Sequence, residues 1–412
     1  MQSTTGRAVR HVRVFRALAA CLLIVAACGN PGADNGTGAV GETTGTGPSG
    51  PPARQVVSPS LLDAGKYPTS PRPPLGVSGN PATGAIADAQ HMADFVVGPW
   101  EVDEKLVDTY LNSYYVIGSA DVLQQLGPEE IANAAGRSGL VNGFASARQK
   151  ADEAAMVNAV LRFPDPAAAV AASAAMGDAA VKQPVKGVTP AVAPIPGHPD
   201  AVASTYPFTP HGSNQPRATV RSFTPHGPYV LMQFVQSVDG LDSATALVAK
   251  AIDTQRPVID QFTPAVDLAT VPLDPTGLLA RTLPATVAVT AKNAVYAVRG
   301  AEHFQSNPVG SAALFDDTGT TRVAMGSTNV YEAKDEGSAA LITNAFSEEV
   351  SSTEGTTPAD TVAPLPDSHC YALPQAFYCV APAGRYAIEV SSPKLDDVHQ
   401  QLAAQYVMLT AT

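Results

Sequence analysis

The feature that most constrains this chain is an order of segments that occurs twice. Residues 156–163, Met-Val-Asn-Ala-Val-Leu-Arg-Phe, read as a strand, and Pro164-Asp165-Pro166 stops it. Asp165 is a capping residue and Pro166 suits the first turn of a helix, so the alanine-rich run 167–181 is expected to be helical. Strand-like runs follow at 201–206, 218–223 and 229–238, and a helix from Leu241 closes the unit, with a kink expected at Arg256-Pro257. The second run begins with a strand at 322–333 and a helix at 338–350. Short strands near 370–373, 377–381 and 385–390 then lead to a closing helix from Leu395, with Leu395, Val398, Leu402 and Tyr406 on one face. Two passes of β-α-β-β-β-α predict an α+β fold of two tandem sandwiches, as a duplication would give, each an antiparallel sheet with helices on one face. Pro264, Pro272, Pro275 and Pro284 punctuate the join, which places one domain over 61–270 and the next over 271–412.

The N-terminus has a different logic. Arg7, Arg10, Arg13 and Arg16 precede an apolar run of 11 residues, 17–27, with no acid among them. That run is too short to span a bilayer core, which needs roughly 20 helical residues. A basic start, a short apolar stretch and small residues before a cut describe an export signal over 1–27. Val25-Ala26-Ala27-Cys28-Gly29 resembles the bacterial lipobox. That resemblance implies acylation of Cys28 and cleavage just before it. Leu18-Ala19-Ala20-Cys21 fits the same pattern, but scarcely any apolar stretch precedes it. Residues 28–60, rich in Gly, Thr and Pro, cannot bury enough apolar surface to fold and read as a flexible tether. A second proline-rich stretch, 67–81, is expected to end the loosely structured part.

Charge excludes some partners. The chain carries a formal −12, and loss of residues 1–27 leaves 21 basic against 37 acidic side chains. That balance argues against an electrostatic grip on nucleic acid. The expected attachment is to the membrane through the lipid alone, at its extracytoplasmic face.

Candidate chemistry is sparse. Cys370 and Cys379 are the pair left after Cys21 and Cys28, and in an oxidising compartment they read as a disulfide. A thiol or metal group with His369 and Asp367 competes with that reading, but neighbours on an extended strand point to opposite faces. The repeated Phe-Thr-Pro-His-Gly at 208–212 and 223–227 brings two histidines, His211 and His226. Each sits in a turn, and an intervening strand would hold the turns ~20 Å apart, too far to share a metal. His91, His198, His303 and His399 are scattered. Asp316-Asp317-Thr318-Gly319 reads as a polar hairpin turn rather than a calcium loop. No nucleophile–base motif and no phosphate loop occurs, so no catalytic residue, metal ligand or cofactor is expected.

The lipobox, the tether, the two-part α+β body and the late cysteine pair together resemble actinobacterial, especially mycobacterial, surface lipoproteins of unknown function. The second unit also resembles the extracellular sensor domains of mycobacterial kinases, which carry more cysteines. The expectation is a membrane-tethered binding or scaffolding protein, with an envelope protein or a small apolar ligand as partner. An envelope hydrolase with a dispersed site is the alternative.

Overall fold

The computed structural model describes residues 57–210, 214–286, 289–365 and 367–411. The export signal, Cys28 and most of the tether lie outside these residues, as does His211.

The first half begins with α1 (Pro81–Met92), whose N-terminus is capped by Asn80 accepting from the Thr83 N–H at 2.9 Å. A single-turn helix, α2 (Pro99–Val102), precedes β1 (Asp108–Ile117) and α3 (Glu129–Arg137). Then come β2 (Asn142–Lys150), β3 (Ala154–Arg162) and α4 (Pro166–Lys182). The cap read from the sequence is present, since Asp165 accepts from the Ala168 N–H at 2.8 Å. Alanine is the best helix former, so α4 needs little side-chain support of its own. β4 (Ala191–Val192), β5 (Val202–Phe208), β6 (Arg217–His226) and β7 (Tyr229–Ser237) follow. α5 (Leu241–Ile259) closes the half and runs through Pro257 into its last turn.

The second half repeats this series. It contains β8 (Ala294–Tyr296), the short α6 (Val298–Glu302), α7 (Pro308–Asp317), β9 (Arg322–Met325) and β10 (Thr328–Glu332). α8 (Glu336–Ser351), capped by Asp335 on the Ser338 N–H at 2.7 Å, stands where α4 stood. β11 (Thr357–Pro358), β12 (His369–Ala372), β13 (Phe377–Ala383) and β14 (Tyr386–Ser392) lead to α9 (Leu395–Thr410). Among the described residues the strands form two seven-stranded antiparallel sheets. Their orders are β1-β2-β3-β7-β6-β5-β4 and β8-β9-β10-β14-β13-β12-β11, the same path strand for strand. The expected tandem α+β architecture is therefore the fold. The first sheet gains β1, β2 and β4 beyond the four strands read from the pattern; the second gains β8 and β11, and the single strand expected over 322–333 is the hairpin β9–β10.

Two local features repeat in detail. The β6–β7 and β13–β14 turns share the spacing Pro-x-Gly-x-Tyr, as Pro225 to Tyr229 and Pro382 to Tyr386. Gly227 at φ 53° and Gly384 at φ 56° supply the left-handed backbone that each tight turn needs. The second feature is a buried glutamine on each closing helix. Gln255 Oε1 accepts from the Val97 N–H (2.8 Å) and the Asn158 side chain (2.9 Å), and its Nε2 donates to Phe95 O (2.8 Å). Gln405 Oε1 accepts from the Leu283 N–H (2.8 Å) and Thr328 Oγ1 (2.6 Å), and its Nε2 donates to Arg281 O (2.8 Å). Each amide thus clamps residues n and n+2 of the segment leading into its half. Both side chains are wholly buried, so these bonds satisfy groups that would otherwise be costly to desolvate.

One expectation needs correction. The helices do not gather on one face of each sheet. In the first half, Ala145, Ala147, Val157, Ala159 and Met232 pack under α3 and α4, while Phe144, Met156, Val160, Leu231 and Val235 face α5. In the second half, Tyr331, Tyr378 and Val380 face α8, while Ala324, Val330, Ile388 and Val390 face α9. Strands buried on both faces lose the polar-outside alternation, so periodicity does not report on which side helices lie. One apolar core runs continuously from the α5 face of the first sheet, through α1, to the α8 face of the second.

Residues 57–80, read from sequence as tether and loose lead-in, form a strap along the second half instead. The Val57 N–H donates to the Tyr406 hydroxyl (3.2 Å), Tyr67 donates to Asp397 (2.6 Å), and Arg72 donates to Leu279 O (2.6 Å). Prolines remove donors but do not prevent such docking, because side chains and isolated N–H groups make the contacts.

Candidate functional site

The seam between the halves concentrates buried polar groups. On β2, Ser146 and Arg148 lie two residues apart and so share a face. They meet the stretch after α6, which enters from the other half. Arg148 Nη2 donates to His303 O (3.0 Å) and Gln305 O (2.7 Å), and Nη1 reaches Val107 O at 3.4 Å. The guanidinium also lies over the Trp100 ring, 5.7 Å from its centroid. No carboxylate pairs with Arg148 among the described residues, and its Nε–H is buried without an acceptor. Its charge is held by carbonyl dipoles, which fixes the 303–305 backbone against the first sheet.

His303 is 0% exposed. Its Nε2 faces two carbonyls, Ala93 O and Val96 O, both at 3.1 Å, so that nitrogen carries the proton. Nδ1 then accepts from Ser146 Oγ at 2.9 Å. Burial holds the imidazole down to about 3, with the carbonyl bonds opposing and the Arg148 and Arg299 charges adding to the depression. A histidine that stays neutral there is a fixed hydrogen-bonding piece and a poor general base.

Acidic groups line the same seam. Asp94 accepts from the Gly300 N–H at 2.9 Å and is pushed up to about 6, chiefly by burial. Glu302 is pushed up to about 7, first by burial and then by the charge of Glu101, which itself pairs with Arg299.

Beside these groups opens a cavity of about 320 Å³, walled by both halves. The first half contributes β1 and Arg148, including Thr109, Asn112 and Tyr114. The second contributes Phe304, Gln305, Ser306, Asn329, Tyr331 and Glu389. Glu389 and Asn329 are direct cross-strand partners on β14 and β10. Glu389 Oε2 accepts from Asn329 Nδ2 (2.8 Å) and the Tyr331 hydroxyl (2.7 Å), and the Tyr378 phenol lies in the field of the same carboxylate. Burial, then the Glu389 charge, raises both phenols well above their usual range, so they remain donors. Tyr114 and Phe304 stack edge to face at 4.4 Å across the seam. At the rim the β1–β2 register breaks between Thr109 and Tyr114, and Leu111 (φ 53°) and Ser113 (φ 64°) adopt left-handed backbone. Two such non-glycine residues cost energy that only surrounding structure can sustain, and strain of this kind concentrates at ligand sites. A second, more aliphatic hollow of about 490 Å³ lies between α1 and the residues near Leu273, Leu279 and Lys292.

The residues singled out from sequence lie elsewhere. Cys370 and Cys379 face each other across β12 and β13 and are joined as a disulfide. The imidazole near them is that of His399, on α9, and not His369. Among the described residues these three form the one cluster of metal-ligand type, and His399 Nε2 is engaged with Asp360 O at 2.7 Å. His226 ends β6 and meets Asp260 at 2.7 Å. Asp316 and Asp317 do not form a hairpin turn; they end α7. Ser146, Arg148, His303 and Glu389 carried no sequence signal, since their partners lie up to 210 residues away.

Residues 75–273 match the N-terminal profile of a domain of unknown function, DUF7373, and residues 278–412 match its C-terminal profile. The chain belongs to the DUF7373 family. The two DUF7373 matches part within the proline-punctuated stretch between the sheets. A search of curated protein sequences finds no match. Among solved structures, the extracellular domain of PknH from Mycobacterium tuberculosis aligns with 40% of this chain and 93% of its own length. Its identity is 14% and its TM-score 0.27, a likeness too distant to carry an argument. No helix among the described residues is long and apolar enough to cross a membrane.

Proposed function

We propose that this DUF7373 protein is a lipid-anchored, extracytoplasmic binding protein that takes a small ligand in the cavity between its halves. The observation that carries this reading is the cavity itself: both sheets wall it, side-chain amides and hydroxyls converge on it, and strained β1 backbone forms its rim. The anchor rests on the Val25 to Cys28 lipobox. A hydrolase is the weaker reading. The one Ser–His hydrogen bond among the described residues, Ser146 to His303, is sealed from solvent, and its imidazole is held near 3. Two measurements test the proposal. Fatty-acid labelling of cells should mark the protein and be lost in Cys28→Ala; persistent labelling would redirect the anchor to Cys21. Native mass spectrometry of the protein from its host should show a small molecule that is lost on Thr109→Trp, a bulky change at an exposed rim position. Equal mass adducts in both forms would refute the cavity as the site.

A further inference from the structure

We infer that the cavity selects an uncharged, polyhydroxylated ligand, a neutral mono- or disaccharide by chemical class. This rests on the binding reading above and specifies it. The inference comes from which groups are already engaged. Arg148 spends its terminal nitrogens on three backbone carbonyls, and Nε is buried. Glu389 Oε2 is held by Asn329 and Tyr331. Arg148 and Glu389, the two ions of the wall, are opposite in sign, so the lining carries no net charge with which to select a ligand's carboxylate or ammonium. The groups with capacity left are those that both donate and accept: the amides of Asn112 and Gln305 and the hydroxyl of Thr109; Ser306, whose hydroxyl donates to Glu349, keeps acceptor capacity. The bonds that Asn112 and Gln305 make within the protein are long, at 3.4–3.5 Å, and readily exchanged. Amides and hydroxyls match sugar hydroxyls, which likewise donate and accept. Tyr114 and Phe304 add an apolar wall suited to the C–H face of a sugar ring. A volume of about 320 Å³ lies at the small end of ligand pockets.

The test is calorimetric titration of the full mature chain in detergent. One set of probes comprises glucose, arabinose and maltose; the other comprises glucuronate, glucosamine and free amino acids. Neutral sugars should bind, with little dependence on salt. Gln305→Ala and Asn112→Ala should each weaken binding about tenfold, and Thr109→Trp should abolish it. Unchanged circular dichroism and melting of the variants would separate this from misfolding. Binding of the charged probes alone would overturn the inference while leaving the binding-protein reading standing. Neutral-sugar binding that all three variants retain would also overturn it, because the site would lie elsewhere. If neither set binds and the host-purified protein carries no small molecule, the inference and the binding reading fall together.

Discussion

The two halves follow one path but turn opposite faces to each other. The first sheet meets the shared core through the side that carries its closing helix α5, the second through the side that carries α8, the counterpart of α4. Duplicated topology therefore does not impose duplicated packing. Strand order is set by connections and turns, such as Pro225 to Tyr229 and Pro382 to Tyr386, whereas the buried face is set by which side chains are large and apolar. The halves also differ in build. β2, β3 and β7 each run nine residues, while their counterparts β9, β10 and β14 run four, five and seven. The shorter sheet alone carries a disulfide, and the strap of residues 57–80 lies along it. The unlike faces leave a mixed seam, and the cavity lies in it.

The strongest way to probe the likeness is through the matched glutamines. Gln255→Leu and Gln405→Leu each strip three hydrogen bonds from buried groups, and each is expected to cost about 3–4 kcal/mol in urea unfolding. Near-equal losses would support equivalent roles; a loss in one half only would break the correspondence. The next effect should fall on one side. Replacing both Cys370 and Cys379 by serine is expected to cost about 2.5–3 kcal/mol, since the closed loop spans some ten residues. Hydrogen exchange should quicken first in β12 and β13, and uniform quickening of both sheets would contradict the local picture.

The seam itself should respond to pH. Asp94 and Glu302 have folded values raised to about 6 and about 7. Their favourable contribution is fully present below their ordinary range near 4 and is lost as pH rises through 6 and 7. His303, held near 3, acts the other way and costs stability as pH falls below its ordinary 6.5. The clean observable is thus the difference between wild type and the Asp94→Asn, Glu302→Gln double variant. The variant should gain stability relative to wild type between acid and mildly alkaline pH. A pH-independent difference would remove these carboxylates from the account. The smallest effect tests the caps: Asp165→Ala and Asp335→Ala should each lower stability by about 1 kcal/mol. A gap between the two well beyond that size would show that the helices α4 and α8 no longer carry equal weight.

Much of the fold was legible because it is written locally. Asp165-Pro166 announces α4, the spacing of Val398, Leu402 and Tyr406 announces α9, and the proline stretch marks the join. The short β8, the break that splits 322–333 into β9 and β10, and the bulged β1 were not legible. Three or four residues carry too little pattern, and left-handed Leu111 and Ser113 interrupt the alternation in β1. The candidate site was less legible still. His303 reads as one scattered histidine, and Arg148 as an ordinary strand cation, until the second half is docked on the first.

By itself the sequence determined the two passes of strand, helix, strands and helix, the Asp165 cap, the glycine turns and the cysteine pair, because each rests on residues close together in the chain. Tertiary structure alone decided which faces meet and where the strap lies. It also alone decided that Ser146 and Arg148 hold a segment about 157 residues away. The reason is physical. A strand buried on both faces shows no preferred side, and a buried polar group finds its partner by shape and desolvation, which leave no periodic trace in sequence.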